Sequence, residues 1–194
     1  MFAAMTDGLK LPATIESDRL VLRAPRPRDA GMMSLYLGDA RVAKSLALIP
    51  HPFPPGAAEQ MIERALAGRR SGPLYVMDAS RSDGAEMVGL VFLNRAAEEG
   101  TDVWRLSYVV GPPFWNTGYA TEAATAVCAA LFDAGAEAVT AQVYQDNAAA
   151  SAHVLTRAGF DYVGDGEAWS AARGAVAPLW RYRLDRERWR RQTS

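Results

Sequence analysis

Cysteine, histidine and net charge are all scarce in this chain of 194 residues, and each scarcity removes a class of function. The single cysteine, Cys128, rules out a disulfide or a cysteine-based metal site within one chain and suits a reducing compartment. His51 and His153 stand far apart, and neither has a second strong ligand at metal-binding spacing, so no metal is expected. With 21 basic side chains against 22 acidic ones, the formal charge is −1, which supplies no field for nucleic acid or a membrane surface. Long apolar runs are missing too. None approaches the roughly 18 residues of a membrane helix, and Met1–Lys10 lacks a charged segment followed by an apolar core. The expectation is a cytosolic protein, monomer or homodimer, with no direct nucleic-acid or membrane partner.

What is present suits one ordinary core, since 49% of the residues are hydrophobic. Residues 1–15 hold Gly8, Pro12 and few periodic apolar positions and read as a flexible lead-in, leaving 16–190 as one domain. Seven strands are expected, around Arg19–Ala24, Leu74–Asp78, Met87–Leu93, Trp104–Val110, Ala138–Tyr144, Phe160–Val163 and Pro178–Leu184. The turn-rich Ser80–Gly84 predicts an antiparallel hairpin, and the strand–helix–strand run after Trp104 predicts a right-handed crossover. Helical stretches begin at Arg28, Asp39, Ala57, Gly118 and Ala148, and Arg186–Arg191 forms a basic amphipathic tail. The four prolines of Ile49–Gly56 make a stiff loop in which His51 and Phe53 are candidates for a pocket wall.

Tyr108–Ala123 is the most informative stretch. A strand breaks at Gly111-Pro112-Pro113, loops through Trp115, Asn116, Thr117 and Gly118, and opens a helix at Tyr119, Ala120 and Thr121. Ala120, Ala123, Ala124, Val127, Leu131 and Ala134 recur at the helical period, so the helix axis is well specified. The first N–H groups of a helix lack intrahelical acceptors and carry the positive end of its dipole, which makes such a start receptive to phosphate oxygens. Glu122 argues the other way, because an acid in the first turn already complements the dipole.

Four segments in order resemble the Gcn5-related N-acetyltransferases (GNAT), and within them the RimJ/RimL-like branch that acetylates ribosomal-protein N-termini. They are Glu16–Arg23 with Arg28-Asp29, Met87–Leu90, Trp115–Ala123 and Ser151–Phe160. The resemblance implies an α/β (α+β) acyl-CoA N-acyltransferase fold, with a mixed, mostly antiparallel seven-stranded sheet flanked by about four helices. It implies acetyl-CoA as acyl donor and an amine acceptor, with the cofactor lying where the strand ending at Val110 splays from the one ending at Tyr144. Val109 and Val110 main chain would pair with pantetheine, the amides from Asn116 through Thr121 would hold the pyrophosphate beside Trp115, and Asn147 and Ser151 would approach the cofactor arm. The chain departs from the branch at Asn116, where glycine is usual, and at Asn147, which precedes Ser151 by four positions instead of three. Arg105 stands where an acid is common.

Transfer to an amine also needs somewhere for protons to go. Ser151 is the expected donor to the departing thiolate, a role compatible with that of a helix N-cap. Glu167, Asp165 and His51 are the candidate bases, with Glu167 carried forward. The reading is an N-acetyltransferase acting by direct amine attack in a ternary complex. A non-catalytic acyl-CoA-binding module that keeps the cleft is the alternative.

Overall fold

A computed structural model describes residues 9–96 and 102–193. Its frame is one eight-stranded sheet built from β1 (Thr14–Glu16), β2 (Val21–Arg23), β3 (Leu74–Asp78), β4 (Gly89–Arg95), β5 (Val103–Val110), β6 (Ala138–Tyr144), β7 (Asp161–Ser170) and β8 (Ala175–Asp185). The order is β1-β2-β3-β4-β5-β6-β8-β7, with β5 and β6 parallel and the other neighbours antiparallel. Side-chain alternation along the strands divides the core in two. Leu74, Val76, Leu90, Phe92 and Val109 face α1 (Ala30–Gly38), α2 (Ala40–Ser45) and α3 (Ala57–Leu66). Tyr75, Met77, Val91, Trp104 and Leu106 face α4 (Tyr119–Ala134) and α5 (Ala148–Arg157). Both faces of the central strands are therefore covered, which explains why all five residues of β3 are buried.

The α4 helix buries Ala123, Ala124, Val127, Cys128, Leu131 and Phe132, so its axis and hence its N-terminus are fixed by packing. The basic tail is a docked helix, α6 (Arg186–Thr193). Trp189 stacks on Phe132 with ring centroids 5.7 Å apart, and the Arg186 guanidinium donates to the carbonyls of Phe132 and Ala136 at and just beyond the end of α4. A buried ion network ties β2 to β3, since Arg23 reaches Asp78 at 2.7 Å and Asp29 at 2.8 Å.

Several expectations change. Among the described residues there are eight strands instead of seven and six α-helices instead of about four. The extra strand, β1, lies inside the expected lead-in: it is three residues long and pairs Ile15 with Leu22, too short for alternation to show. Leu9 is buried and Tyr75 donates to the Pro12 carbonyl at 2.7 Å, so order begins before Glu16, while residues 1–8 lie outside the described residues. β7 is also far longer than Phe160–Val163. It is an edge strand that is mostly exposed, and Gly164 and Gly166 interrupt its pattern.

Candidate functional site

The parallel β5–β6 pair is joined only at its start. Val103, Trp104 and Arg105 pair with Ala138, Val139 and Thr140, after which the two strands part. The gap continues into a cleft of about 690 Å³ lined by Ser107 and Tyr108 of β5, Val143 of β6 and Ser151 and Leu155 of α5.

At the open end of β5 the chain makes a 3-10 turn, Pro112–Phe114, and enters the loop 115–118. Asn116 (φ 62°) and Gly118 (φ 86°) both take left-handed backbone, so the Asn that departs from the family pattern adopts the conformation that glycine would. Gly118 precedes α4 without any side-chain cap. The N–H groups of Asn116, Thr117, Gly118, Tyr119, Ala120 and Thr121 find no acceptor among the described residues, whereas that of Glu122 bonds the Gly118 carbonyl at 3.1 Å. Six consecutive unpartnered donors at a helix start are an arrangement suited to an anion.

The loop is braced by its own side chains. Trp115 Nε1 donates to the Val110 carbonyl at 2.7 Å, and Thr117 Oγ1 to the Phe114 carbonyl at 2.7 Å. The Arg41 guanidinium covers the Trp115 ring at 4.7 Å. Glu122 does not serve the helix start. Its carboxylate accepts from Ser17 Oγ at 2.7 Å, from the Arg19 N–H at 2.7 Å and from Arg19 Nε at 2.8 Å. Burial opposes its ionisation, but the Arg19 N–H, Ser17 and the Arg19 guanidinium hold its pKa below the ordinary glutamate value. Arg19 then reaches on, donating to the Thr117 carbonyl at 3.0 Å and covering the Tyr119 ring at 4.7 Å. The Ser17–Arg19 turn thus braces the loop through Glu122 and the Thr117 carbonyl and takes none of its N–H groups.

One expected contact is corrected. A side-chain atom added to Gly89 of β4 would sit 2.2 Å from the Val109 carbonyl, so that carbonyl faces β4 and not the gap. Gly111 N–H likewise bonds Val88, and strand alternation turns the main chain of Tyr108 and Val110 toward the gap instead. Val110 remains, with its carbonyl shared with Trp115.

On α5, Ser151 lines the cleft from within the first turns of the helix, which starts at Ala148, so it is not the N-cap. Asn147 lies in the 3-10 turn Gln145–Asn147, and its side chain is outside what the structure describes. Tyr108 donates to the Ser151 carbonyl at 3.2 Å, and Tyr144 to that of Trp169 at 2.8 Å. Burial pushes the Tyr108 phenol well up from its usual value, so it stays protonated. Burial also pushes the Cys128 thiol far up, which leaves it inert as a nucleophile.

The candidate bases are not gathered. Glu167 is exposed on edge strand β7 opposite Pro178, and Ala168 and Trp169 line the cleft where it does not. Asp165 accepts from Gln145 at 3.2 Å outside the cleft, and His51 is exposed with Phe53 packed against the α1–α3 core. Glu167 is therefore corrected as a cleft-lining base: it stands exposed on the edge strand and is not part of the cleft wall. What sequence reading missed is the opposite charge: Arg64, Arg69, Arg70 and Arg105 all line the cleft, and no acid does among the described residues. A latch closes this side. Arg173, in the β7–β8 turn, pairs bidentately with Asp146 at 2.6 and 2.7 Å, donates to the Lys44 carbonyl and covers the Tyr144 ring at 4.6 Å, while Ala171 N–H bonds the Ala47 carbonyl.

Among the described residues, no His, Cys, Asp and Glu cluster suited to a metal is present, and no helix is long and apolar enough to cross a membrane. No curated protein matches the sequence. Solved structures do share the fold. A GNAT-family acetyltransferase from Bacillus anthracis has a TM-score of 0.75 at 17% identity, covering 90% of this chain and 99% of that one. The ribosomal-protein-S5-alanine acetyltransferase from Vibrio fischeri gives 0.71 at 17% identity, over 92% and 99%. Spermidine N-acetyltransferase from Vibrio cholerae, solved with CoA and spermine, gives 0.72 at 13% identity, over 89% and 99%. The family model for the acetyltransferase (GNAT) domain matches residues 19–161, a span that runs from the Arg19 brace through the splayed strands to the end of α5, and the chain belongs to the GNAT acetyltransferase family.

Proposed function

We propose that this enzyme moves an acetyl group from acetyl-CoA to a primary amine, a protein N-terminus or a small-molecule amine, by direct attack in a ternary complex. The observation that carries the reading is the run of six unpartnered amides, Asn116 through Thr121, at the open end of a splayed parallel pair. That cradle fits a pyrophosphate, and the cleft lined by Tyr108 and Ser151 fits an extended arm.

Acetyl-CoA supplies the activated acyl carbon, where the amine nitrogen forms a C–N bond as the C–S bond breaks. The chain's part is positioning and protons. The main-chain groups of Tyr108 and Val110 that face the gap pair with the arm and orient the thioester. Ser151 hydroxyl gives its proton to the departing thiolate and regains one from solvent. The amine proton leaves to water, since the cleft offers no carboxylate among the described residues. Direct attack is favoured over an acyl-enzyme because Cys128 is fully buried and protonated. The four segments given above support the RimJ/RimL-like branch, and a cytosolic setting goes with it.

Calorimetry with acetyl-CoA, followed by a thiol-release assay over a panel of primary amines and peptides, tests the reading. Saturable binding with thiol release for at least one amine is expected. Binding without release for any amine would favour the non-catalytic module, and absence of binding would remove both.

A further inference from the structure

We propose that the acceptor carries an oxyanion, a carboxylate or a phosphate, in addition to its amine, and that Arg70 and Arg105 hold it. The proposal rests on the acetyl-transfer reading for the position of the amine, but not for the anion preference itself.

Four guanidinium groups line the cleft and, among the described residues, no carboxylate lines it with them. Arg105 and Arg70 each meet a neutral neighbour. Arg105 stands directly across from Asn94 on β4, and Arg70 lies over the Phe92 ring at 5.8 Å. Arg70 Nε is buried without a hydrogen-bond partner, and burial pulls that guanidinium's pKa down from its ordinary value. Arg64, Arg70 and Arg105 have no ion pair among the described residues, and Arg69 pairs outward with Glu63 at 3.0 Å. Several arginines elsewhere are matched with acids: Arg19 with Glu122, Arg23 with Asp29 and Asp78, Arg95 with Asp102, and Arg173 with Asp146. The buried, unpartnered Nε of Arg70, with the unpaired Arg105 on the same cleft wall, leaves electrostatic work for a ligand, and planar guanidinium forks suit a carboxylate or phosphate.

Placement links this anion site to the chemistry. Arg105 is the last β5 residue paired with β6, and Ser107 and Tyr108, at the start of the gap, follow it. An acceptor anchored by its anion at Arg105 and Arg70 directs its amine along β5 toward the splay. The same cations disfavour a second ammonium, so polyamines and aminoglycosides are poor matches, and they lower the pKa of the one amine that must lose its proton. That effect does part of a base's task in a cleft that shows none.

The test uses amines matched except for one group: carboxylate against carboxamide, and phosphomonoester against hydroxyl. Each is measured for binding to the protein saturated with CoA, and separately for thiol release from acetyl-CoA. The charged member of at least one pair should bind on the order of tenfold more tightly, and whichever pair shows the larger gap identifies the anion. Arg105→Gln, at an exposed strand position, should shrink that gap to about threefold or less and Arg105→Glu should reverse it, with acetyl-CoA affinity unchanged. Neutral members binding as well as charged ones, or spermidine leading the panel, would overturn the proposal. Anion-selective binding with no thiol release would sustain it while refuting acetyl transfer.

Discussion

The proposed donor and acceptor halves of the site are built from different materials. The donor half is backbone: six amides from Asn116 to Thr121, arranged by two left-handed residues and braced from behind by Arg19, Glu122 and Trp115. The acceptor half is side chain: guanidinium groups from α3, the segment after it and β5, roofed by the Arg173 latch. A backbone receptor tolerates sequence change, because any residue but proline offers the same N–H. A side-chain receptor is rewritten by a single substitution. The difference teaches why the family can keep one donor and vary its acceptors, and it separates the mutational signatures of the two halves.

The sharpest way to break that separation is Gly118→Val. Its φ of 86° is unfavourable for a branched side chain, and an added Cβ would stand 3.3 Å from the Arg19 guanidinium. Acetyl-CoA affinity by calorimetry should fall on the order of 100-fold, about 3 kcal/mol, with little change in the binding of an acceptor to the cleft. Ser151→Ala should lower kcat by about 10- to 100-fold with acetyl-CoA affinity within about twofold, read by steady-state kinetics. Equal kinetics would remove Ser151 from the reaction. Arg173→Ala loosens the roof. It should raise KM for the acceptor about fivefold and leave donor affinity alone, and an effect on donor affinity instead would contradict the division.

The smallest effect concerns pH. Glu122 has a depressed folded pKa, so its contribution is present above the unfolded glutamate value and is lost as pH falls through the folded one. Wild-type donor affinity should therefore weaken only as pH falls below the ordinary glutamate range, and Glu122→Gln, weaker by about threefold at neutral pH, should show a flatter acid limb. Identical acid limbs would mean that the Ser17–Arg19 brace does not organise the loop.

Much of the donor half was legible in the sequence because its signals are local. Gly111-Pro112-Pro113, Gly118 and the apolar period of α4 state a strand end, a loop and a helix start within one continuous stretch, and the crossover to Ala138–Tyr144 follows from their order. Two details of that half were hidden. Glu122 looked like a helix-start acid because its true partners, Ser17 and Arg19, lie more than a hundred residues earlier. Val109 looked gap-facing because strand phase cannot be read without the β4 register that sets Gly89 against its carbonyl. The acceptor half is nonlocal throughout. Arg64 lies in α3 and Arg69 and Arg70 follow it, and nothing near them in sequence places them beside Arg105. Glu167 falls between the expected strands Phe160–Val163 and Pro178–Leu184, and the structure places it, exposed, in edge strand β7.

Amide hydrogen exchange of Asn116 through Thr121, with and without saturating acetyl-CoA, addresses the donor assignment most directly. Free, these amides have no described acceptor and should exchange fast; bound, they should slow by about tenfold or more as phosphate oxygens take them. Unchanged exchange at full saturation would contradict a pyrophosphate at this helix start.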